Sequence, residues 1–272
     1  MNITIRHISD FFDNWAPFNT QAEFDNAGLL LGSPHTPVNG IITCLDVTHA
    51  VADEAISQGL NLIVAHHPVI FRKINRINPD SPQGSLLYKL IRHDIAVLAV
   101  HTNLDAAQNG VSFVLADRLG LTNTTILQFH DTAQSRGYGV IGNLKKPLSA
   151  EDFLKLVCDQ LGTSALRFSG PVGQAETISR VAVCGGTAAE LSAAARQAGA
   201  QAFVTADIKY HEYFDHDPLL LIDAGHYETE FPVVAHMQDQ LSHFFSGLPV
   251  RSTSVVTNPM QIYRRISSEK LS

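Results

Sequence analysis

Two stretches of this chain spell the same strand–helix–strand unit, 140 residues apart. The first reads "GIITCLD", "THAVADEAISQG" and "LNLIVAHH"; the second reads "RVAVCGG", "TAAELSAAARQAG" and "AQAFVTAD". With Cys44 set on Cys184, Gly59 falls on Gly199, Val64 on Val204, His66 on Ala206 and His67 on Asp207 without a gap. A short apolar run, a helix closed by glycine and a second apolar run make a βαβ unit. The strands that follow also match: "IAVLAVHTNLD" ends in His101-x-x-x-Asp105 and "LLLIDAGHYETE" in His226-x-x-x-Glu230, both at an offset of 125. Shared periodicity would align any two βαβ units, so the repeated His-x-x-x-acid carries more weight than the coinciding glycine. The fold expected is α/β, two similar α/β domains related by an internal repeat, with residues 1–125 in one and 126–272 in the other. Turn-forming residues cluster at 121 to 134, which places the join there.

Each half puts polar residues at the carboxyl ends of its strands, where open α/β sheets bind ligands. Leu60 to Ala65 reads as a strand buried on both faces, yet it runs straight into His66 and His67. Successive side chains on a strand point to opposite faces, so these two imidazoles suit two neighbouring ions better than one. Pro68 keeps His67 extended. If the residues of each His-x-x-x-acid begin a helix, the imidazole and carboxylate share a face and form a compact N,O pair. His66, His67, Asp105, His226 and Glu230, with His101 in reserve, outnumber the three protein ligands of a single catalytic zinc and fit two ions sharing a carboxylate. Three nitrogens and two carboxylates with no thiolate suit Zn, Mn, Fe or Co. Such a pair of ions activates water for hydrolysis, and His101, ahead of Tyr227, Asp207 and His211, is the first choice to move the proton. Each of these four could equally be a neighbour that only orients a ligand. Gly185-Gly186 reads as a tight turn, or as a place where backbone amides approach a phosphate.

Other classes fit less well. The chain has no G-x-S-x-G elbow, no phosphate-loop motif and no dinucleotide fingerprint. The formal charge of -7 and the shortness of the basic clusters, Arg72-Lys73 with Arg76 and Arg264-Arg265, argue against a broad nucleic-acid surface while leaving room for a phosphorylated small molecule. No apolar run reaches the roughly 18 residues of a membrane span, and the first residues lack the basic and apolar regions of an export signal. Cys44, Cys158 and Cys184 are far apart and odd in number, so no disulfide framework is expected and a cytoplasmic location fits best.

Five ordered motifs resemble one family, the Nif-three-like dinuclear-metal hexameric proteins, often named as homologues of a type-two GTP cyclohydrolase I. They are "AEFDNAGLLLG", with Phe24 where Trp is common, "AHHPVIFRKINRI", "HTNLDAA", "TADIKYHEY", with Ala206 where glycine is frequent, and "DAGHYETE". The resemblance runs almost from end to end. It implies metal ligands at His66, His67, Asp105, His226 and Glu230, with Glu230 as the bridge, and a toroidal homohexamer built as a trimer of dimers. The chain is too short for the middle insertion domain of some longer relatives. Two functions follow as expectations: a dinuclear metal-dependent hydrolase of a small nucleotide-like substrate, GTP ring opening with formate release being the specific version, or a non-catalytic metal-binding scaffold, regulator or metal carrier.

Overall fold

The computed structural model describes residues 2–130, 135–172, 177–214 and 218–263. Arg264-Arg265 and the end of the expected join, 131–134, lie outside the described residues. Helix α1 (Ile5–Trp15) precedes strands β1 (Gly28–Leu31) and β2 (Ile41–Cys44), helix α2 (His49–Ser57), strand β3 (Leu62–Ala65), helix α3 (Pro82–Arg92) and strand β4 (Ala96–Ala99). Helices α4 (Thr102–Asp105) and α5 (Val111–Arg118) lead to β5 (Leu121–Phe129), β6 (Gly137–Ser149), α6 (Ala150–Leu161), β7 (Arg167–Ser169) and β8 (Thr177–Thr187). The remainder is α7 (Ser192–Gln197), β9 (Ala202–Ala206), β10 (Leu220–Asp223), α8 (His226–Glu230), α9 (Pro232–Phe244) and β11 (Val250–Ser252).

The fold is mixed α/β with two sheets. The first has the order β1-β4-β3-β2-β11, its last four strands parallel; the second has the order β5-β6-β8-β9-β10-β7, with β8, β9 and β10 parallel. Alternation along each strand divides the core into layers. In the first sheet Ile41, Leu62, Val64 and Leu98 face α1 and α9, whereas Ile42, Cys44, Ile63 and Val97 face α2 and α3. In the second, Val181, Val183, Val204 and Ile222 meet α5 and α6, and Ala182, Phe203 and Leu221 meet the α7 side. Helix starts are capped: the side chains of Thr48, Ser81 and Ser149 accept from backbone amides at the starts of α2, α3 and α6.

The duplication survives in the strand registers. Thr43 pairs with Val64 and Val183 with Val204, the same register shifted by 140 in both strands. The copies then slip by one. Ala65 pairs with Ala99 and Thr205 with Asp223, so one extra residue separates β10 from His226 relative to β4 and His101. Gly225 stands in this longer link with φ +95, and a Cβ there would lie 2.1 Å from Glu228 Oε2.

The sequential division at 125/126 differs from the layers observed. A cut there would pass through β5, and the chain returns to the first sheet after β10: β11 pairs with β2, while Val233, Met237 and Leu241 of α9 pack with Ile5, Ile8 and Phe12. No helix of the described residues is long and apolar enough to cross a membrane. Leu241 is fully buried. Leu241→Ala is expected to cost ~2–5 kcal/mol, as a large-to-small change in a packed core does, by denaturant unfolding; a loss below about 1 kcal/mol would mark α9 as peripheral.

Candidate metal centre

The carboxyl ends of β2, β3, β4, β9 and β10 converge on one cluster. Just past β3, the backbone amides of His66 and His67 bond to the carbonyls of Cys44 and Leu45, which carries the strand pairing one step beyond β2. The two ring centroids lie 5.0 Å apart with their planes tilted by 44°. Past β4, His101 precedes the single turn α4, which ends in Asp105. Past β10, His226 opens α8 and Glu230 closes it, four residues along the same face. The structure thus brings together all six residues singled out by spacing.

Each of the four imidazoles has its Nδ1 occupied from outside the cluster. His66 Nδ1 donates to the Val100 carbonyl (2.8 Å), His67 to Asp46 (2.8 Å), His101 to Asp25 (2.7 Å) and His226 to Asp207 (2.7 Å). These supports turn the other ring nitrogens of His66, His67 and His226 inward, the arrangement that outer hydrogen bonds impose on metal-binding histidines. Glu230 Oε2 lies 2.9 Å from His67 Nε2, 3.0 Å from His226 Nε2 and 3.9 Å from His66 Nε2. Gly186 makes room for this carboxylate, since a Cβ there would fall 2.2 Å from Glu230 Oε1. Its amide bonds to the Thr229 hydroxyl and that of Gly185 to Ser112, so the phosphate reading of the glycine pair gives way to an irregularity within β8 that admits Glu230.

The donors fit a cation. His66 Nε2 and Asp105 Oδ1 are buried, face each other across 3.6 Å and have no hydrogen-bond partner. An unpaired buried polar group costs ~1–3 kcal/mol, and a shared cation would satisfy both. Among the described residues, three groups bring ligand atoms within 4.8 Å of one another: His66, Asp105 and Glu230; His67, His226 and Glu230; and His66, His67 and His101. The first two share Glu230.

The charges of these groups agree with this. Burial opposes charge on His67, but hydrogen bonds to Asp46 and Glu230 outweigh it and raise the ring to about 10. His226 rises to about 9 in the same way, held by Glu230 and Asp207. Glu230 is driven well below the ordinary carboxylate range because the bonds from His226 and His67 overcome its burial. Burial, reinforced by the charge of Glu230, pushes Asp105 up. Asp25 stays ionised despite burial through bonds from His101 and Thr102.

A family model described as Duf34/NIF3 (NGG1p interacting factor 3) matches residues 3–259. This chain belongs to the Duf34/NIF3 family. It is 31% identical over 260 residues to a Clostridium acetobutylicum protein named GTP cyclohydrolase 1 type 2 homolog, covering 94% of this chain and 96% of that one. A Staphylococcus aureus hypothetical protein superposes with a TM-score of 0.87 at 30% identity, over 97% of this chain and 100% of that chain. A Bacillus cereus protein related to NIF3 shares the fold, with a TM-score of 0.87 at 23% identity over 97% and 100% of the two chains.

Within this Duf34/NIF3 chain the other candidates for proton movement part ways. Asp207 is a support for His226 and also accepts from the Thr187 hydroxyl. Tyr227 stacks on Phe231 (centroids 4.8 Å, 18°) and borders a cavity of about 220 Å³ that reaches His67 and His226. His211 is exposed beside Tyr210 and Phe214 and joins none of the three groups. Sequence reasoning missed Asp25 and Asp46 as supports, although Asp46 ends the "GIITCLD" run and Asp25 sits in a quoted motif.

A pH dependence follows from His67 and His226. Their folded values lie above the ordinary 6.5, so in the metal-free protein their ion pairs contribute stability that is full below about 6.5 and is lost as pH rises through 9 to 10. Ligation requires neutral rings, so metal uptake at neutral pH should release protons and strengthen over that same window. Calorimetry in buffers of different ionisation enthalpy reads this release; uptake independent of buffer and pH would contradict it.

Proposed function

We propose that this chain is a dinuclear, divalent-metal-dependent hydrolase of a small, nucleotide-like substrate. The observation that carries the reading is the position of Glu230, whose carboxylate belongs both to the His66–Asp105 group and to the His67–His226 group. One ion would be held by His66, Asp105 and Glu230 and the other by His67, His226 and Glu230. An N/O donor set of this kind takes Zn, Mn, Fe or Co. Bound there, the ions would lower the pKa of water and polarise the bond it attacks.

The chain's own residues do the rest. Asp46 and Asp207 hold His67 and His226 in one tautomer, with Nε2 toward Glu230. His101 is proposed to pass a proton to the leaving group. Its Nδ1 is bound to an ionised Asp25, and a ring nitrogen lies within reach of His66 and His67. The name of the C. acetobutylicum relative supports GTP as the specific substrate, its imidazole ring opened by water with formate released. A toroidal homohexamer belongs to the same proposal, and light scattering on the purified chain tests it. The family's description as an interacting factor favours a second reading, a non-catalytic metal-binding scaffold, regulator or carrier.

Elemental analysis of protein purified without chelator or affinity tag should give about two ions per chain. Glu230→Ala should lose most of both. No stoichiometric metal after addition of Zn or Mn would end the ligand assignment.

Formate release from GTP, followed with several ions, separates the two functions. His101→Ala should keep its metal and lose turnover by ~10²–10⁴, the usual contribution of a positioned acid or base. A metal-loaded wild type inert toward nucleotides and esters would favour the scaffold.

A further inference from the structure

The supports of the metal-facing histidines do not end at Asp46 and Asp207. After β11 the chain runs back over the cluster, anchored by Thr253 N to the Thr43 carbonyl (2.9 Å) and by the Ser254 hydroxyl to Glu54 (2.7 Å). Its next polar pair divides between the two sides of the site. The Thr257 hydroxyl donates to Asp46 Oδ2 (2.9 Å), and the other oxygen of Asp46 holds His67 Nδ1. The neighbouring Asn258 donates from Nδ2 to Glu228 Oε1 (3.0 Å), and Glu228 lies on α8 between His226 and Glu230. The Asn258 side-chain oxygen accepts from Met260 N (3.0 Å), which fixes the orientation of its amide. Pro259 restricts Asn258 to extended conformations, so the two side chains keep their separate directions.

We propose that Thr257 and Asn258 are positioning residues: as adjacent links of one strap, they staple the β3-end ligand His67 to the α8 ligands His226 and Glu230. The inference rests on the reading of the cluster as a metal centre. Asp46 is the weak point that makes the staple necessary. Its side chain is 36% exposed, so with no hydroxyl on its second oxygen it is free to turn toward water and release the His67 ring. The strap acts where the two sheets contribute different ligands. Asn258 and Met260 also border the cavity that reaches His67 and His226, which puts the strap beside the ligands it holds.

The test uses the full chain and Zn²⁺ alone as probe. Affinity is read by competition with a chromophoric chelator, and melting of the metal-free protein is recorded in parallel. Thr257→Val keeps the shape and removes the hydroxyl; it should weaken Zn²⁺ binding by ~10–100-fold, the range for loss of an outer support. Thr257→Ser should restore it. Asn258→Ala should weaken binding too, and the double variant should lose less than the product of the two effects because both act through one strap. Val256→Ala, on the same strap and 74% exposed, should bind as wild type. The proposal is overturned if Thr257→Val binds like wild type, if serine fails to rescue, or if Val256→Ala loses as much. Should Thr257→Val prove unfolded when metal-free, Asn258→Ala decides alone. A wild type that takes up no Zn²⁺ overturns the metal centre itself, which the wild-type titration shows separately.

Discussion

One buried carboxylate organises this molecule. Glu230 is 3% exposed and lies against imidazoles delivered by a different sheet, His67 at 2.9 Å and His66 at 3.9 Å, as well as His226 from its own helix. A lone buried charge of this kind is expensive, and several kcal/mol of desolvation must be offset by its partners. The partners in turn need partners, which accounts for the ring of acceptors at Val100, Asp25, Asp46 and Asp207. The strand ends converge, the glycine pair within β8 opens a notch, and α8 brings the carboxylate into it.

The duplicated fold explains how such a cluster arises and why it is not symmetric. Equivalent strand ends lie close to the site from both halves, yet equivalent positions carry different tasks. His67 faces Glu230, while its counterpart Asp207 stands behind His226; His66 is buried in the cluster, while its counterpart is Ala206. Among the residues of the cluster, the His-x-x-x-acid corners keep their residue types. Even there, the extra residue at Gly225 makes His226 the first residue of α8, whereas His101 precedes α4. Two similar units form one cluster with unlike sides.

Much of this was legible in the sequence because it is local. His66 and His67 stand out as polar residues ending an apolar run, and Glu230 and Asp105 stand four residues from a histidine at a strand end. Of the supports, only Asp207 was singled out; Asp46, Asp25 and Thr257 were illegible for the opposite reason. Asp46 meets His67 across 21 residues, Asp25 meets His101 across 76, and Thr257 meets Asp46 across 211. An aspartate after a strand is commonplace, and nothing nearby says which ring it will hold. The layering failed to read sequentially for a similar reason. Strand β11 is only Val-Arg-Ser, with no buried residue, so its membership of the first sheet depends on β2 being there to pair with it.

That late return of the chain has a consequence for biogenesis. Strands β2, β3 and β4 leave the ribosome with His66, His67 and Asp105 long before α8, α9 and β11 are made. During that interval one edge of the first sheet and the face later covered by α9 lack their neighbours, and the histidines lack Glu230. Until residue 230 is made, only part of the donor cluster exists. The donor cluster is complete only once Glu230 has been made, and the first sheet only once β11 has, so both are finished late in synthesis.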